Sequence, residues 1–194
     1  MLKQFFRTKI LRLYGTPAAR TQESETADLA AELLIAPTAL MQLTREDARV
    51  VVRYMLPRKI DKGTTFIYEG DKRHTDFMML LLDGEVTVET IVVSRAQPIT
   101  VTVLGRGSLI GELALLDGEP RHASCTATSH LRCAILKRQA LEQLVTDSPA
   151  VAAKLMLAVS SRIAARLREN ADKLKLYVQL TQAMKQEIGE RNAA

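Results

Sequence analysis

The sequence predicts an α+β chain: an antiparallel β barrel or jelly roll, with helices before it and one long helix after it. Three observations carry this. Between residues 57 and 136, short β-branched or apolar runs alternate with glycine turns. Before that stretch, apolar residues recur at helical spacing. From Pro149 onward, no proline or glycine interrupts the chain before Gly189.

The 194 residues suit one domain with extensions, and 47% apolar content supports an ordinary packed core. The expected division is a helical extension over 1–55, the β domain over 56–147 and a C-terminal helix over 148–194. No run approaches the ~18–20 apolar residues of a membrane span. The expectation is therefore a soluble, cytoplasmic protein without a transmembrane segment.

Residues 1–14 place Phe5, Phe6, Ile10, Leu13 and Tyr14 at roughly helical spacing, and Gly15, Thr16 and Pro17 end that helix. This segment is basic and free of acids, as a transit peptide would be, but a surface helix docked on the domain is the simpler reading. Residues 18–25 are polar and read as a linker. Helices follow over 26–35 and 39–55, broken at Pro37. Thr44 followed by Asp47 has the form of a helix N-terminal cap. Strands are predicted over 64–68, 77–82, 85–93, 99–104, 123–128 and 131–136, then a short helix over 139–145. Ser148 and Pro149 open the long helix, with proline at a permitted first position, and it runs to about Ile188.

The formal charge of +5 is uneven. Residues 1–22 hold five basic side chains and no acid, residues 148–194 eight basic and four acidic, so the central domain is acidic. Nucleic-acid binding wants a basic stripe on a folded face and aromatic platforms, and aromatics are only 4%. A nucleic-acid partner is therefore not expected, although basic ends could touch an acidic surface. Cys125 and Cys133 flank a turn at Ser129 and His130. If that turn is a two-residue hairpin, their side chains point to opposite sides of the sheet. Buried reduced thiols are then expected rather than a disulfide. No histidine–cysteine cluster has metal-ligand spacing. No nucleophile–base constellation is present, so neither an enzyme nor a bound cofactor is expected.

The most informative stretch is 107–124, G-S-L-I-G-E-L-A-L-L-D-G-E-P-R-H-A-S. It reads as a glycine turn, a short apolar helix, a second turn and a strand. Gly111 allows close backbone approach to a ligand. The amides of Glu112, Leu113 and Ala114 would be free at the start of the helix and suit an anion. Arg121 offers a planar fork to two phosphate oxygens. Glu112 repels phosphate but suits a sugar hydroxyl, so the pair points to a nucleotide.

This stretch resembles the phosphate-binding cassette of cyclic nucleotide-binding domains, as in the bacterial catabolite activator protein, cAMP-dependent protein kinase regulatory subunits and cyclic nucleotide-gated channels. A weaker likeness extends over 57–174. The resemblance implies a β jelly roll with helices at both ends. It implies that Glu112 takes the ribose 2′-hydroxyl and that Arg121 pairs with the cyclic phosphate. Gly111, Leu113 and Ala123 fall where the backbone lines the phosphate, beside Ala114. His122 stands where the family usually has a small residue or threonine, which bears on base preference.

Along the long helix, Ile163, Leu167, Asn170, Leu174, Tyr177, Thr181, Met184 and Ile188 alternate steps of four and three. Such a seam pairs two copies as a parallel homodimer, flanked by charges such as Arg166, Lys173 and Glu187. Asn170 suits a register-setting seam position. By resemblance it also suits a contact to the adenine. In the catabolite activator family this helix leads to a winged helix-turn-helix, whereas the twenty residues after Leu174 are too few for one, so no DNA-binding domain is expected. The expected function is a dimeric sensor of cAMP, or of cGMP, that regulates a protein partner in trans. The alternative is an interaction scaffold of the same fold that is ligand-free or takes a cyclic dinucleotide.

Overall fold

The computed structural model describes residues 17–37, 39–40, 42–90 and 99–193. The helix predicted over 1–14 lies outside them. The described elements run α1 (Pro17–Leu34), α2 (Arg45–Val52), β1 (Leu56–Ile60), β2 (Thr65–Ile67), β3 (Phe77–Asp83), β4 (Val86–Thr90), β5 (Ile99–Leu104), β6 (Leu109–Ile110), α3 (Glu112–Asp117), β7 (Ser124–Ala127), β8 (Leu131–Lys137), α4 (Arg138–Asp147) and α5 (Pro149–Ala193). The strands form two antiparallel sheets, in order β1-β8-β3-β6 and β2-β7-β4-β5. Helices, antiparallel sheets and a long C-terminal helix are the architecture that the sequence predicts.

β3 explains its own composition. Its run Met78–Leu82 is buried throughout. Met78, Leu80 and Leu82 face a core shared with α1, α2, α4 and α5, whereas Met79 and Leu81 face the interior between the sheets. A strand buried on both faces needs no polar alternation. β4 has only one such face, and Val86 and Val88 turn inward while Thr87 is half-buried.

α2 starts with a full capping box. The Thr44 hydroxyl accepts from the Asp47 amide at 3.1 Å, and the Asp47 carboxylate accepts from the Thr44 amide at 3.2 Å. Two otherwise orphaned amides are thereby satisfied. The buried Asp47 also holds Lys154 of α5 at 2.9 and 3.0 Å, which ties the N-terminal helices to the long helix.

Four readings change. Residues 18–25 are helical, not a linker, because α1 begins at Pro17. The segment 39–55 holds a single helix, confined to α2. β1 and the two-residue β6 carry no strand signature in the sequence. β7 and β8 are not a hairpin: β7 pairs with β2 and β4, whereas β8 pairs with β1 and β3. The chain crosses between sheets at 128–130, where the Thr128 amide donates to Glu85 O at 3.0 Å and the Glu85 amide to Ser129 Oγ at 2.9 Å. Gly84 sits beneath this corner at φ +93, and a Cβ there would lie 2.6 Å from His130 O. Consequently Cys125 and Cys133 both belong to the core between the sheets, as free thiols. Burial pushes each thiol up to about 11, so both are protonated and unreactive near neutrality.

Candidate functional site

The site is built where β6 runs into α3. Gly111 takes φ +83 at this junction, and Gly118 takes φ +74 at the other end, its amide closing on Ala114 O. Side chains rarely adopt such backbone, so glycine marks both ends of the helix. α3 turns Glu112, Ala114 and Leu115 inward. Arg138 of α4 donates to Ala114 O at 3.1 Å and holds the C-terminal end.

Arg121 is only 5% exposed. Its Nε and Nη2 donate to His74 O at 3.0 and 2.8 Å, Nη2 also to Phe77 O at 3.0 Å, and Nη1 to Gly111 O at 2.9 Å. The guanidinium carbon lies 4.5 Å from the Phe77 ring centroid. Four of the five N–H groups are thus held by neutral carbonyls, and no carboxylate stands within ion-pair distance among the described residues. Burial pulls its pKa below the ordinary arginine value, with Cys125, Asp76, Asp71 and Glu112 opposing at longer range. The loop before β3 fixes the backbone as well: Gly70 donates to Arg121 O at 2.7 Å, and Arg121 donates to Asp71 O at 3.1 Å. Asp71 is held below the usual carboxylate range by the Arg73 amide and by His74.

Glu112 is 2% exposed, and its Oε1 accepts from Arg166 Nη1 at 2.9 Å. This pair connects α3 to α5. Between them lies a cavity of about 390 Å³, a size suited to a small organic ligand. Its walls include Gly111, Glu112, Leu113, Ala114, Arg121, His122, Ala123 and Asn170. All eight residues singled out in the sequence therefore border one space. His122 is exposed at its edge, and Asn170 reaches it from α5. Ile67, Val88, Leu104, Cys125 and Ile163 supply apolar wall.

Sequence reasoning missed the part played by Arg166, which it placed among the charges flanking a helix seam. It also missed His74 and Phe77, which act through carbonyl oxygens and leave no side-chain signature. A second cavity, of about 430 Å³, abuts the first and shares Leu104, Leu109, Arg166 and Asn170 with it. Among the described residues, no group of three histidine, cysteine or acidic side chains could hold a metal ion. No described helix is long and apolar enough to cross a membrane.

A β sandwich that presents a buried cation and a carboxylate to one cavity, beneath a long helix, has the build of a domain that binds a small anionic ligand. Residues 57–148 match the family described as cyclic nucleotide-binding domain. The chain is 30% identical over 127 residues to the cyclic AMP receptor protein of Thermus thermophilus, covering 66% of this chain and 56% of the relative. It is 23% identical over 129 residues to a CRP-like cAMP-activated global transcriptional regulator of Mycobacterium tuberculosis, covering 66% and 53%. The chain thus spans about half the length of these relatives. Among solved structures, a cyclic nucleotide-binding domain from Methylobacillus flagellatus aligns with TM-score 0.66 at 28% identity, covering 77% of this chain and 82% of that one.

Proposed function

We propose that this protein is a cAMP sensor in which nucleotide binding between α3 and α5 regulates a partner protein in trans. One observation carries the reading: Arg121 is a buried cation whose hydrogen bonds go to neutral carbonyls, with no carboxylate within ion-pair distance among the described residues. A buried charge is costly unless an opposite charge or strong hydrogen bonds compensate. A cyclic phosphate meeting the remaining Nη1 N–H, beside the Gly111 backbone, supplies that opposite charge. Glu112 accepts the ribose 2′-hydroxyl, and Arg166 is then released from Glu112. Leu113, Ala114 and Ala123 shape the phosphate end, while His122 and Asn170 stand near the base. The preference for cAMP draws its support from what the Thermus and mycobacterial relatives are named for.

The mechanism follows from the Glu112–Arg166 contact. A ligand that competes for Glu112 changes what holds α5 against the sandwich. It shifts the helix only by its differential affinity for the two arrangements. The exposed part of α5 is the output surface, and its seam pairs two copies as a homodimer that engages the partner. The chain acts by binding, with no reaction catalysed, and works in the cytoplasm.

A thermal-shift panel of cAMP, cGMP, cyclic di-GMP and AMP tests this reading. A ligand at 100 times its dissociation constant stabilises by about 2.7 kcal/mol. A rise with cAMP that exceeds the others is expected. A rise with the cyclic dinucleotide alone, or with none of the four, overturns the proposal in favour of the scaffold.

A further inference from the structure

We propose that the second cavity, behind Arg166, is a separate binding site for a small organic oxyanion, phosphate or carboxylate. Eight residues of α5 border it, and the four charged ones, at positions 162, 166, 169 and 173, have a spacing that keeps them on one helix face. Three are cations, Arg162, Arg166 and Lys173, against the single carboxylate of Glu169. Gln42 and Thr102 add polar groups from other walls. Arginine and lysine only donate hydrogen bonds, so this lining asks for an acceptor-rich, negatively charged occupant.

A second observation points the same way. Arg162 Nε is a fully buried donor with no hydrogen-bond partner among the described residues. Buried donors in native proteins are almost always satisfied, by protein, by water or by a bound ion. The cavity, at about 430 Å³, is far larger than the ~30 Å³ of one water, and is of small-ligand size. Arg166 is already committed to Glu112 in this arrangement, which leaves Arg162 and Lys173 as the cations available. If an occupant of the first cavity draws Glu112 away, Arg166 becomes available to the second. The two sites are then coupled, and by linkage each raises the affinity of the other by the same factor. The second site itself does not depend on what the first one binds.

The arginine Nε–H signals of ¹⁵N-labelled full-length protein report on this site. Arg162 is assigned by its loss in Arg162→Lys. Inorganic pyrophosphate and citrate are the two probes, each titrated without and with saturating cAMP. A saturable displacement of the Arg162 signal by either probe is expected, persisting with cAMP present and at least tenfold tighter there. The two arms separate phosphate from carboxylate chemistry. Arg162→Gln, with its amide spectrum intact, should lose the response at least tenfold, while Arg162→Lys retains part of it. No displacement up to about 10 mM, beyond the ~1 mM range of useful affinity, overturns the proposal. So does a response that cAMP abolishes, because the anion would then sit in the first cavity.

Discussion

At the scale of single residues, Gly111 and Arg121 form one unit. A Cβ at Gly111 would lie 2.5 Å from Arg121 Nη1 and 3.2 Å from Phe77 O, on backbone at φ +83. Gly111→Ala is therefore expected to cost about 1–3 kcal/mol of stability and to displace the guanidinium. Denaturant unfolding checks the first effect, and an unchanged midpoint contradicts it. At Glu112 the contact at issue is a hydroxyl. Wild-type protein should bind cAMP at least tenfold more tightly than its 2′-deoxy analogue, about 1.4 kcal/mol. Glu112→Gln should narrow that gap, and equal discrimination in both proteins would remove Glu112 from the sugar contact. Much of the site was legible because it is local. Gly111, Glu112 and Arg121 lie within eleven residues, and the turn chemistry fixes their relation. Arg166 was not legible as their neighbour. It sits 54 residues from Glu112, and a heptad seam does not say which helix face meets the sandwich.

At the scale of elements, the capping box at Thr44 is worth testing because it also positions Asp47 toward Lys154. Thr44→Ala should cost about 1 kcal/mol. The hydrogen bond from the Thr44 hydroxyl, followed by that from Lys154, holds the Asp47 carboxyl below the usual range. The sign follows directly. The contribution of Asp47 is fully present above the unfolded value of about 3.9, and is lost as pH falls through the lower native value. The stability gap between wild type and Asp47→Asn should thus be constant near neutrality and close below about pH 4. A gap that persists at low pH contradicts this assignment. The cap was visible in the sequence because its spacing is a local rule. β1 was not, because Leu56–Ile60 contains Pro57 and lies at the edge of its sheet, where proline is tolerated and alternation is lost. The β7–β8 crossing was misread for a related reason. A three-residue turn looks the same whether its strands pair or part, and only the long-range partners at β2 and β1 decide.

At the scale of the whole molecule, α5 carries the open question of assembly. Leu174, Tyr177 and Met184 are more than 60% exposed, too large an apolar stripe for an isolated surface helix. Sedimentation should find a dimer, and Leu174→Glu with Met184→Glu should give a folded monomer. A monomeric wild type would remove the paired helix from the account. Above all, the proposed function has a cyclic nucleotide join the sandwich, α3 and α5. Isothermal titration calorimetry with cAMP and cGMP, on wild type and on Arg121→Ala with verified fold, tests that most directly. Saturable one-site binding of cAMP, tighter than cGMP and lost in the variant, is the predicted result. Failure of both nucleotides to bind the folded wild-type protein, or binding that Arg121→Ala leaves unchanged, would contradict it.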